Sequence, residues 1–67
     1  MYLKRLYELR VDNDLLQKDI AKILNISQQY YSQYEQGKKE IPLRHIITLS
    51  KFYNTSIDYI VELTDEK

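Results

Sequence analysis

Apolar residues recur every three or four positions from Leu3 to Val61, and a single Gly and a single Pro interrupt the 67 residues. That spacing is the period of an amphipathic helix, whereas a half-buried strand alternates at every second residue. With so little hairpin punctuation, the chain is expected to be all-α, a set of short helices. At this length residues 1–67 make one domain, and such a chain buries only about 60% of its unfolded surface. Little volume is left for both a core and a deep substrate cleft, so an enzyme is not expected.

The local signals divide the chain into five helices. Leu3, Leu6 and Leu9, with Arg10 beside them, predict a first helix over residues 2–12. Asp12-Asn13-Asp14 breaks it, because Asn and Asp cap their own backbone and tolerate the left-handed region. Ile20, Ala21, Ile23 and Leu24 predict a second helix over residues 17–24. Asn25 suits a left-handed turn, Ser27 suits an N-cap, and Gly37 marks the end of a third helix. Pro42 opens a fourth helix carrying Ile46, Ile47, Leu49 and Tyr53. Asn54-Thr55-Ser56 stops it and caps a fifth, with Asp58 in the first turn, where the helix dipole favours a negative charge. Ile57, Tyr59, Ile60, Val61 and Leu63 give that helix its apolar side, and Thr64 to Lys67 are expected to fray.

Ten Lys and Arg balance ten Asp and Glu, which argues against indiscriminate coating of nucleic acid. The distribution is uneven: residues 34–55 carry four positive and two negative charges, and residues 56–67 carry one and four. By charge alone the basic stretch (Lys38, Lys39, Arg44, Lys51) reads as a solvated surface. The absence of Cys excludes disulfides and thiolate metal sites. No Gly-rich phosphate loop and no metal-ligand spacing occurs, so no metal and no cofactor is implied. The one histidine, His45, reads as solvated beside Arg44 rather than catalytic. No apolar run approaches the roughly 18 residues of a membrane span. Lys4, Arg5, Glu8 and Arg10 make the N-terminal stretch unlike a signal peptide, and the expected compartment is the cytoplasm.

The third helix is the informative segment. With residues placed at about 100° intervals, Gln28, Gln29, Ser32, Gln33 and Gln36 fall within about 140° of one another, and Tyr30, Tyr31 and Tyr34 fall on the opposite side. Solvated faces ordinarily use Glu and Lys, which support i,i+4 pairing. Glutamine is uncharged but carries both a donor and an acceptor, and it can pair in bidentate fashion with the N6 and N7 of adenine in the major groove. A neutral polar surface remains the plainer reading of composition alone. The neighbourhood adds weight: a short helix, a three- or four-residue turn and a second helix make a helix-turn-helix unit. Ile20, Leu24, Ile26, Tyr31 and Tyr34 supply its apolar contacts, and Ala21 is small enough to let the two helices cross.

The segments LYELR (Leu6 to Arg10), Gln17, IAKIL (Ile20 to Leu24), ISQQ (Ile26 to Gln29), YEQGKKEIP (Tyr34 to Pro42) and SIDYIV (Ser56 to Val61) resemble the phage repressor/Cro-type helix-turn-helix proteins, the XRE family, over nearly the whole chain. The resemblance implies a compact five-helix, lambda-repressor-like bundle whose second and third helices form the DNA-binding unit, with the third (about residues 28–36) in the major groove. It implies base contacts from Gln28 and Gln29 and, one turn on, a contact from Gln33 to bases or to the sugar-phosphate edge; Ser32 shares their face. It implies backbone contacts from Gln17, Lys38 and Arg44, with Lys39 on the same flank. Arg10 and Glu35 match a family pair that ties the first helix to the end of the third. The chain departs from the pattern at Leu16, where a Ser or Thr cap is usual, at Asn25, often Gly, and at Tyr31 and Tyr34, often Ile or Leu. Tyr30 is at the boundary: its hydroxyl could reach a phosphate, but packing in the core is the favoured expectation. The implied function is a sequence-specific double-stranded DNA-binding transcriptional regulator of repressor type. The implied partner is a palindromic operator, bound by a homodimer formed through the fifth-helix region. The alternative is a protein-interaction module, such as an antitoxin or an antagonist that pairs with another regulator.

Overall fold

The computed structural model describes residues 2–67, and all of its regular structure is helical. Five helices follow in order: α1 (Lys4–Asp12), α2 (Gln17–Leu24), α3 (Gln28–Glu35), α4 (Leu43–Tyr53) and α5 (Ile57–Ile60). The all-α, five-helix expectation is borne out, and most boundaries lie where the capping residues put them. Asn25 and Asn54 end α2 and α4 in the left-handed conformation, at φ 58° and 54°. Each is followed by a backbone bond reaching back five residues, from Ile26 N–H to Ala21 O and from Thr55 N–H to Ser50 O, both 2.9 Å. That bond satisfies a helix-end carbonyl that would otherwise be orphaned. Ser27 and Ser56 accept from the backbone N–H of Tyr30 and Tyr59 at 3.1 and 3.0 Å, opening α3 and α5. Leu16 has no side-chain acceptor to offer α2; the Asp19 carboxylate instead accepts from the Leu16 N–H at 2.8 Å.

Leu3, Leu6 and Leu9 of the first segment, Ile20, Ala21 and Leu24 of α2, Tyr31 and Tyr34 of α3, Ile46 and Leu49 of α4 and Ile60 of α5 make one buried core. α2 packs chiefly against α3, α1 against α3 and α5, and α4 against α5. Ala21 is buried at the crossing of α2 and α3, and the turn between those helices is the three residues Asn25 to Ser27.

Several expectations are corrected. α1 starts at Lys4, because Leu3 is extended (φ −109°, ψ 91°). Ile23 lies on the apolar stripe by spacing and is exposed, since only part of α2's circumference meets α3. α5 is a single turn: Glu62 takes φ 65° and ends it, which turns Leu63 outward to 77% exposure. Rather than fraying, the last residues are fastened to α1. The buried Arg5 guanidinium lies 4.0 Å from the Tyr59 ring centre. It donates to Tyr59 O at 2.8 Å and to Thr64 O, and it pairs with Asp65 at 2.6 Å. The Ser56 N–H adds a bond to Lys67 O at 2.9 Å. No helix among the described residues is long and apolar enough to cross a membrane.

Candidate nucleic-acid interface

α3 is anchored by its aromatic side. Tyr31 is 0% exposed and Tyr34 4%, and their rings meet edge to face with centroids 6.4 Å apart. Burying two large rings on one side of a two-turn helix fixes its rotation, so the opposite side must face out. Gln28, Gln29 and Gln36 are exposed there, with Ser32 and Gln33 half-buried beside them. Gln36 donates through its amide nitrogen to the Ser32 hydroxyl at 3.1 Å. The face carries no ionisable group, only amides and a hydroxyl. Tyr30 departs from the expectation of a core residue: it is 44% exposed.

The C-terminal end of α3 is braced from below. Arg10 Nε donates to Glu35 Oε2 at 2.7 Å, its Nη2 to Oε1 at 3.1 Å and its Nη1 to Leu15 O at 2.9 Å. Gln17 adds a bond from its amide nitrogen to Glu35 Oε1 at 3.1 Å. Burial pushes the Glu35 carboxyl up, but the hydrogen bonds from Arg10 and Gln17, with the Tyr31 phenol nearby, outweigh it and hold the group below its ordinary value. The Glu35 hydrogen bond raises Arg10 against the opposing effect of burial, so the pair is ionised. Burial drives the Tyr31 and Tyr53 phenols upward, with Glu35's charge adding to the effect. Neither hydroxyl forms a well-shaped hydrogen bond.

Gln17 gives one of its two amide N–H groups to Glu35 and so joins the brace under α3, while the second N–H remains for another acceptor. The Asp19 carboxylate also stands at the start of α2. Lys38, Lys39 and Arg44 are exposed, the first two in the turn after α3 and the third in the first turn of α4. Gly37, at φ 75°, makes the turn that aims Lys38 and Lys39, and Tyr2 sits so close that a Cβ there would lie 3.2 Å from its Cα. His45 is half-buried rather than solvated, its ring 6.2 Å from that of Tyr34. Among the described residues no cluster of His, Asp and Glu could hold a metal.

A donor-and-acceptor face on the second helix of a helix-turn-helix, flanked by three exposed cations, defines a module of the nucleic-acid-reading class. A family model described as Helix-turn-helix matches residues 6–60, and the chain belongs to that family. It is 36% identical over 66 residues to an uncharacterized HTH-type transcriptional regulator, YobD, of Bacillus subtilis (strain 168), covering 98% of this chain and 59% of that protein. It is 31% identical over 61 residues to the cryptic phage CTXphi transcriptional repressor RstR of Vibrio cholerae, covering 91% and 55%. A third relative, the HTH-type transcriptional regulator ImmR of Bacillus subtilis (strain 168), is 36% identical over 58 residues, covering 87% and 46%. The chain thus spans about half the length of the curated relatives it matches.

Proposed function

We propose that this chain is a DNA-binding regulator of transcription, of repressor type and acting in the cytoplasm, which reads a specific double-stranded site by laying α3 in the major groove. The observation that carries this reading is the exposed amide row on α3, held in place by the burial of Tyr31 and Tyr34 on the other side. Gln28, Gln29, Ser32 and Gln33 meet base edges, and Gln17, Lys38, Lys39 and Arg44 hold phosphates. Phosphate contacts set the register and base contacts the sequence. The relatives named as transcriptional regulators and a repressor support the same reading.

One such module spans few base pairs, so useful affinity calls for two copies on a palindrome, with half-sites about one helical turn apart. An apolar groove of about 280 Å³, lined by Leu3, Ile41, Ile46, Val61 and Leu63 with Glu40 at its edge, gives a second copy a surface beside α5. Selection of bound duplexes from a random pool tests the reading. A recurring, two-fold symmetric motif is the expected result, and a pool that emerges without sequence preference overturns it. Sedimentation of the chain with the selected duplex reads the copy number, and a single copy per site refutes the homodimer.

A further inference from the structure

Next to the amide row, α3 carries an aromatic and basic cluster that neither the core nor the base-reading face uses. Tyr30, in the first turn of α3, is largely open to solvent, yet its ring is held. It meets the buried Tyr34 ring edge-on with centroids 5.4 Å apart. Lys39, from the turn after α3, folds back so that its Nζ lies 5.1 Å from the Tyr30 ring centre. A phenol and a cation from two chain segments therefore meet at one pair of rings, with Arg44 exposed in the first turn of α4.

Each feature selects an anion with several acceptor oxygens. The cations attract negative charge. A phenol donates a charge-assisted hydrogen bond, which is roughly twice as strong as a neutral one. A ring already fixed by Tyr34 and Lys39 loses little freedom on binding. A base edge has no net charge to reward the cluster, and the cluster sits on the flank where Lys38 and Arg44 also point outward. We propose that Tyr30 and Lys39 form a clasp for one backbone phosphate of the bound duplex, the Tyr30 hydroxyl donating to it and the Lys39 ammonium, perched on the ring, supplying the charge. This rests on the DNA-binding reading above and adds to it a contact residue that the apolar pattern hides in the core.

Binding is measured by fluorescence anisotropy on two duplexes of equal length, the selected site and a scrambled one, across a salt series. Y30F weakens both about tenfold, the order expected for one hydrogen bond to a charged group. It leaves their ratio and the salt slope unchanged, because a hydroxyl carries no charge. K39M weakens both and lowers the slope by about one. The double variant loses less than the product of the single losses, since both groups hold the same phosphate. Thermal melting of Y30F matches the parent. Y30F that binds as the parent does, or that loses affinity for the selected site alone, overturns the clasp while the DNA-binding reading stands. A parent that binds neither duplex overturns both.

Discussion

Arg10 and Glu35, 25 residues apart in sequence, are joined by two near-parallel hydrogen bonds of 2.7 and 3.1 Å in a site largely sealed from water. The pair ties the last turn of α1 to the last residue of α3, beneath the exposed amide face. In a chain with this little core, it fixes where the end of the reading helix sits.

Glu35→Gln leaves a guanidinium with no counter-charge in that site. Loss of one partner of a buried pair costs about 3–5 kcal/mol, a large share of the roughly 5 kcal/mol that a domain of this size commands. Urea denaturation is expected to show a midpoint shifted most of the way to zero, with up to about half of the variant unfolded in water at room temperature. A midpoint equal to the parent's would show that the pair contributes nothing.

The same carboxyl sets an acid limit. Its folded value lies below the ordinary 4.5, so on lowering the pH the unfolded chain takes up the proton first. The stabilisation is complete above about 4.5 and is lost as pH falls through the lower folded value. Unfolding free energies between about pH 7 and pH 3 are expected to decline below that point in the parent. Glu35→Asp, which keeps the charge but shortens the reach, is expected to show a shallower decline.

Gln28→Ala removes an exposed donor and acceptor without touching the core. On the preferred site the expected loss is about 1–3 kcal/mol, with relaxed preference at one base position. Lys38→Ala, by contrast, weakens preferred and random duplexes alike and reduces the salt slope by about one. Parallel titrations separate the two roles, and equal losses on random DNA for both variants would contradict the assignment.

Gly37→Ala adds a Cβ at φ 75° that meets Tyr2 at 3.2 Å. The left-handed conformation alone costs a residue with a Cβ roughly 1–2 kcal/mol. The melting temperature is expected to fall by several degrees, with binding to random duplexes weakened because Lys38 and Lys39 leave from this turn.

Much of the fold was legible because its boundaries are chemical. Ser27, Asn25, Gly37, Asn54 and Ser56 each do locally what their side chains or backbones favour anywhere, and the amide and phenol sides of α3 follow from counting. What escaped depends on contacts between distant segments. Nothing near Arg5 marks it as buried, because its partners at Tyr59, Thr64 and Asp65 lie 54 to 60 residues away. Glu62 is a poor left-handed residue by propensity and takes that conformation because the chain must turn back toward Arg5. The spacing around Gln17 does not reveal that one of its amide N–H groups reaches Glu35 at 3.1 Å. Tyr30 read as core because helical periodicity assigns a side of α3 but not how far the neighbouring helices reach along it.

The absence of titrating groups from the outward side of α3 separates two controls that many binding proteins mix. On the proposed reading, the choice of sequence rests on amides that keep the same hydrogen-bonding pattern in mild acid and mild alkali, and the strength of the hold rests on a lysine and arginine fringe whose pull ionic strength dims. A cell that changes its salt would then loosen the grip without altering the address, and a mild change of acidity would touch neither.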